Sequence, residues 1–418
     1  MKTSKLPMPL ICTGLLLTGA IVSTEAAATV PEDPNTFLTF LEKHEPEDAV
    51  SAAAYYDAVD PGGSKATYAD WLFQTGFIDD PLTYNTTGPL VIEPGAGVTT
   101  VTHRNETDLG FVRVVRTRCE PNCGDPNPEI YSVIENYLDY EAAAAREGRL
   151  ASVTMEWTSP ADGSNPSDRF VVFYAYTGGD LRDVDNGMGG TIPFAPNLDD
   201  RGGKEIPGVC NTCHGGTPRI LNNDGSYPDN GDTGSLFLAM DLDNFGFDPN
   251  RPSLSRSTQQ AAYKETNQAV LVTHRGEEEF DEVAEVSRVP AGQEIIEGWY
   301  GGPGMPDANF NGEFVPPGWL GAEDLYLDAI VPACRACHAQ QERSLDFATY
   351  EGFMVFEDAH KELVLQVECG PDDDSDTRDD GGDDQSVMPL AKLTYELFWN
   401  TSQADVFKEH FEEVDCDD

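Results

Sequence analysis

Cys210-Asn211-Thr212-Cys213-His214 and Cys334-Arg335-Ala336-Cys337-His338 share one pattern: two cysteines three positions apart, with a histidine directly after the second. On a helical turn this spacing sets both thiols on one side, with the imidazole beside them. Nine cysteines and seven histidines in 418 residues give only about 0.003 chance matches to the pattern per chain. A second chance match is far rarer. Three other chemistries compete for such segments. A thiol–disulfide redox pair has no need of the histidine twice. Zinc asks for a further cysteine or histidine pair at ordinary ligand spacing. Structural disulfides are the third.

The reading that uses all three side chains is covalent attachment of haem. The thiols bond the porphyrin vinyl groups, and the neutral imidazole ligates the iron. At the two pentapeptides the chain resembles the c-type cytochromes; elsewhere the likeness is loose. The resemblance implies two covalently bound haem c groups. Cys210 and Cys213 would hold one, with His214 on its iron; Cys334 and Cys337 would hold the other, with His338 on its iron. After the second motif come a loop, the pair Met388-Pro389 and a closing helix. That order is similar to a small His/Met cytochrome c domain and implies Met388 as the second iron's sulfur ligand. The long acidic loop and the tail from Thr401 to Asp418 depart from the family's pattern. At the first iron the alternatives stay open: Met305, Met240, His274, or an unfilled position able to bind peroxide or another small molecule.

Residues 1–28 read as a signal peptide. Lys2 and Lys5 are the basic start, Leu10 to Val22 the apolar core, and Ala26-Ala27-Ala28 the cleavage signal before Thr29. Nothing later is apolar for long enough to span a bilayer. The expected location is therefore periplasmic or extracellular, which agrees with the haems, since the family resemblance implies attachment outside the cytoplasm. With Cys12 in the leader and four cysteines on haem, Cys119, Cys123, Cys369 and Cys416 remain. In an oxidising compartment these form two disulfides with three possible connectivities. Cys119–Cys123, closing the turn Glu120-Pro121-Asn122, with Cys369–Cys416, is the favoured set. The net charge of −48 repels nucleic acid and anionic head groups and attracts basic partners. It also suits a saline habitat.

The rest of the chain reads as an α+β domain without haem over residues 29–200, followed by mainly α, cytochrome c-like haem regions at 201–320 and 321–418. Helices are predicted over Glu47 to Val59, Thr67 to Gln74 and Glu129 to Glu147. Strands are predicted over Val98 to Thr102, Gly110 to Arg116, Leu150 to Trp157 and Phe170 to Tyr176. Together they suggest a four-stranded antiparallel sheet with helices on one side. Ser257 and Gln260 suggest a capping box for a helix to Thr273. Gly215-Gly216 is expected to let backbone approach the porphyrin edge. The second motif is expected inside a helical segment from Ala322 to Tyr350, and Pro371 to Gln385 is an aspartate-rich loop. His103, Arg104, Glu106 and Asp108 read as a surface loop, and Asp224, Asp229 and Asp232 lack the EF-hand spacing for calcium.

The expected role is electron transfer by a carrier, not an enzyme, serving a redox partner protein with a basic docking face. A di-haem peroxidase with an open haem at His214 is the main alternative. A module in which residues 29–200 dock a partner enzyme is the third.

Overall fold

The computed structural model describes residues 48–411 apart from 84–96, 165–167, 178, 198–201, 277, 342–344, 358–359 and 362–391. The expected leader, the acidic loop, Met388 and the Cys369–Cys416 pairing lie outside the described residues. The chain enters through α1 (Ala49–Val59), where the Asp48 carboxylate accepts from the amides of Val50 and Ser51, satisfying groups a helix start leaves open. α2 (Tyr68–Gln74) follows, with Thr67 as its cap.

A six-stranded antiparallel sheet comes next. β1 (Val98–Asn105), β2 (Val112–Glu120), β3 (Glu129–Tyr137), β4 (Ala151–Thr158) and β5 (Phe170–Thr177) form a meander. After a small hairpin, β6 (Asp183–Asp185) and β7 (Thr191–Pro193), the chain returns at β8 (Phe245–Gly246) to pair with β1. The helix predicted over Glu129 to Glu147 is instead β3 and a short α3 (Tyr140–Ala145) capped by Asp139. Ile130, Tyr131, Val133, Ile134 and Tyr137 favour a strand. β3 is central and covered on both faces, so the polar–apolar alternation that announces a strand is lost. Buried Glu135 and Asn136 imitated the exposed side of a helix.

Strand side chains alternate, so the pairings Val115↔Ile134 and Ile134↔Val153 place these residues on one face. The pairings Val114↔Glu135 and Glu135↔Ser152 place those on the other. The second face lies under α1, α2 and α3 and holds buried charges. Glu135 pairs with Arg116 at 2.7 Å and accepts from the Tyr68 hydroxyl at 3.1 Å. Glu156 pairs with Lys65 at 2.7 Å and accepts from the Trp71 indole at 2.8 Å. Helices thus cover both faces, because the first face receives α4 (Gly208–His214) and α5 (Arg256–His274).

The expected boundary near residue 200 does not divide the core. One apolar cluster runs from Tyr55 and Trp71 through Val115, Met155 and Phe173 to Val209, Phe237, Tyr263 and Trp299. The first motif therefore sits on a mixed α/β body instead of in a separate helical region. The hairpin β9 (Glu279–Asp281) and β10 (Val286–Arg288) and then α6 (Ala291–Trp299) complete it. A second cluster gathers Trp319, Tyr326, Ile330, Phe347, Phe353, Trp399 and Phe407. Here the expected continuous helix from Ala322 to Tyr350 is broken into turns, with a wide turn at Tyr326–Ile330, Pro332 next, and a separate turn Arg335–His338. Proline lacks the amide a helix interior needs. The cap of α5 is Ser255, whose hydroxyl accepts from the Thr258 amide, not Ser257. Cys119 and Cys123 are joined as a disulfide. Among the described residues no helix is long and apolar enough to cross a membrane.

Candidate functional site

α4 carries the first pentapeptide. Cys210, Cys213 and His214 all line one cavity of ≈ 160 Å³. Its floor is the first face of the sheet, with Val115, Ile134, Val153 and Met155; Leu238, Ala239 and Met240 form part of the opposite wall. The lining is mostly apolar with a few convergent polar groups, the general composition of small-molecule sites.

The His214 imidazole is held in one tautomer. His214 Nδ1 donates to the Leu236 carbonyl at 2.8 Å. A carbonyl only accepts, so the proton is on Nδ1 and the lone pair on Nε2. Burial lowers the pKa of His214 to about 4, keeping the ring neutral. The motif's own Asn211 holds the acceptor loop: its amide reaches the Gly215 carbonyl at 2.9 Å and the Ser235 hydroxyl at 2.7 Å.

The second pentapeptide repeats this chemistry. His338 Nδ1 donates to the Leu345 carbonyl at 2.7 Å, and its ring stacks on Phe347 at 4.0 Å. Burial lowers its pKa as well. The next residue, Asp346, is tied to buried Arg288 at 2.7 Å, and Arg288 also binds Asp281 at 2.7 Å. That buried triad fixes the segment bearing the acceptor carbonyl. Segments 342–344 and 362–391, which follow His338, lie outside the described residues, so this site is described in part.

The fold brings the two pentapeptides together. Cys213 Sγ lies 3.6 Å from Cys337 Sγ across 124 residues of sequence, and Ala336 and Cys337 line the first cavity. Gln341 donates to the Thr212 carbonyl at 3.0 Å. Gly215 and Gly216 serve this contact and its supporting loop. A Cβ on Gly215 would stand 2.0 Å from the Gln340 carbonyl, and one on Gly216 2.3 Å from the Thr233 carbonyl. Arg335, inside the second motif, is buried, pairs with Asp241 at 2.7 Å and lies over Trp299 at 5.2 Å. Asp241 itself lines the first cavity. Sequence reading missed Arg335 because the variable positions of the motif carry no expectation of their own.

The candidate axial ligands separate. Met240 lines the cavity with His214. Met305 does not: it is buried at φ 51° and lines another void beside Cys119, Cys123 and Arg118. The turn Gly301 to Gly304 points it toward the disulfide. His274 donates from Nε2 to the Phe237 carbonyl at 2.6 Å, and its Nδ1 lies where a Cβ on Gly292 would be 2.2 Å away. Its Nε2 is thus engaged, while its buried Nδ1 has no hydrogen-bond partner among the described residues. Two groups escaped notice in the sequence. Met155 lines the cavity from β4. His360, beside the second motif, stacks on Phe353 at 4.0 Å and has a buried Nδ1 without a hydrogen bond. His103 and Asp108, read as a surface loop, line the first cavity with Arg113, which pairs with Asp108 at 3.0 Å.

Among the described residues no three His, Cys, Asp or Glu side chains converge as a metal-holding group. The four thiols are therefore not arranged as a tetrahedral zinc site, and Asp224, Asp229 and Asp232 form no calcium cage. Comparison with family models, with curated proteins and with solved structures found no match to this chain. The likeness to c-type cytochromes rests on the two pentapeptides and on the motif, loop and Met-Pro order behind the second.

Proposed function

We propose that this chain is an exported di-haem c-type cytochrome that carries electrons to and from a redox partner protein. The observation that supports it best is the meeting of the two pentapeptides, with Cys213 Sγ 3.6 Å from Cys337 Sγ. Two attachment points in contact suit a one-electron relay and have no purpose in two unrelated sites. Haem supplies an iron that changes charge by one electron without bonds to substrate being made or broken. The protein's residues do the rest. Cys210, Cys213, Cys334 and Cys337 are the attachment thiols. His214 and His338 present neutral Nε2 lone pairs, oriented through the Leu236 and Leu345 carbonyls. The apolar sheet face excludes water from the first site. Met388 is the sulfur ligand of the second iron, as the family resemblance implies. The acidic surface favours a basic docking face on the partner.

The deciding experiment is mass spectrometry of the mature chain made in a host with haem-maturation machinery. Two haem-sized additions that survive acidified acetone are expected, with one lost in Cys210→Ser/Cys213→Ser. A chain at its bare mass overturns the proposal. In the loaded protein, a sulfur-to-iron charge-transfer band should disappear in Met388→Ala. Survival of that band would move the assignment to another sulfur, and its absence from the wild type would point to a nitrogen donor, His360 being the candidate beside the second motif. High-spin iron with peroxide turnover would favour the peroxidase instead.

A further inference from the structure

Cys213 and Cys337 can react with each other. Their sulfurs are 3.6 Å apart, and a disulfide bond is about 2.05 Å long. The gap to close is about 1.5 Å, and a change of rotamer moves a cysteine sulfur at least that far. The main chain around the pair is held from both sides. Gln341 donates to the Thr212 carbonyl at 3.0 Å, Gly215 lies against the Gln340 carbonyl, and Arg335 is anchored on Asp241 at 2.7 Å. Two groups kept in contact by the fold meet as an intramolecular pair at high effective concentration, whatever their separation in sequence.

Sequence spacing suggests other partners. A C-x-x-C unit is the usual redox pair, which would join Cys210 to Cys213 and Cys334 to Cys337. The fold puts Cys213 against Cys337 instead. Exposure then gives the two sulfurs different roles. Cys213 is buried and Cys337 only partly so, so Cys337 is the sulfur that an external thiol reaches.

We propose that Cys213 and Cys337 are a redox-active pair, closing in the chain without haem to a disulfide that clips the two pentapeptides together and is opened by a dithiol reductant. In closing, each thiol gives up its hydrogen and one S–S bond forms. The two electrons and two protons pass to an oxidant of the disulfide class, which becomes two thiols. In opening, a thiolate of the reductant attacks Cys337 Sγ and Cys213 leaves as a thiolate. The reductant's second thiol then displaces Cys337, and the reductant departs as a disulfide. The inference does not need the di-haem reading, but it bears on it. A sulfur in this disulfide is not free to bond a porphyrin vinyl group, so reduction has to precede attachment at Cys213 and Cys337.

The test uses the full chain made in a host without haem-maturation machinery. It is reduced, exposed to oxidised glutathione under native conditions, and digested with trypsin without further reduction. Cleavage after Lys204, Arg219, Arg288, Arg335 and Arg343 leaves Cys210 and Cys213 in one peptide, Cys334 in a second and Cys337 in a third. The expected main product links peptides 205–219 and 336–343. The link should persist in Cys210→Ser and be lost in Cys213→Ser. In the wild type, the same exchange in urea should lower its yield about tenfold or more. An equal yield in urea overturns the inference, because the fold is then not what joins the thiols. A bridge inside 205–219, a link from it to the Cys334 peptide, or free thiols throughout, as the main product, also overturns it. The haem-loaded chain should lack the link. Free thiols in the chain without haem, together with two haems in the loaded one, overturn this inference alone. A link that persists in a mature chain at its bare mass overturns the proposed function and leaves this inference standing.

Discussion

His274, one of the candidate ligands of the first iron, also bears on stability through its burial. It is neutral and buried, with its pKa lowered to about 4 by desolvation. In the unfolded chain it titrates near 6.5. Below that value the unfolded state binds the extra proton, so the native state loses ground as pH falls from about 6.5 toward 4 and loses nothing above that window. The loss accumulated by about pH 4 is about 3 kcal/mol. Urea unfolding of His274→Gln at about pH 7 and about pH 4.5 should therefore show a shallower fall than the wild type. Equal falls would mean that the ring is charged in the folded protein or reached by water.

At the scale of elements, the contact between the two motif segments depends on a missing side chain. Gly215 is at φ 69°, and its Cα faces the Gln340 carbonyl. Gly215→Ala adds both backbone strain and a clash with main chain, and should cost about 1–3 kcal/mol. Under the proposed di-haem reading it should also alter any spectroscopic coupling between the irons. Unchanged stability would mean that the segments separate freely. The sheet's covered face makes a different demand. Glu135→Ala leaves Arg116, whose side chain is 4% exposed, as a buried charge stripped of its partner. The expected loss is about 3–5 kcal/mol in urea unfolding. A loss under about 1 kcal/mol would place Arg116 in water instead.

The whole molecule carries a charge of −48, and self-repulsion of that size opposes compaction. The Debye length falls from about 10 Å at 0.1 M salt to about 3 Å at 1 M. The thermal midpoint should accordingly rise with sodium chloride over that range. A midpoint that stays level would show that the acidic groups are already offset by local partners, as Asp248 is by Arg251 and Asp243 by Arg256.

Much of this was legible in the chain itself. Thiol and imidazole spacing named the six groups of the pentapeptides, because that chemistry is local and a turn of helix suffices to express it. The short closure at Cys119 and Cys123 was readable for the same reason, as were the strands whose alternation survives. β3 was not, since a strand covered on both sides loses its period. The partnership of Cys213 with Cys337, the anchoring of Arg335 on Asp241, the exclusion of Met305 from the His214 cavity and the placing of His103 inside it all join residues far apart along the chain. Local sequence specifies which groups are present and how a single turn arranges them. Only the packing of sheet against helix decides which of those groups share a cavity, because that depends on burial gathered from every part of the chain.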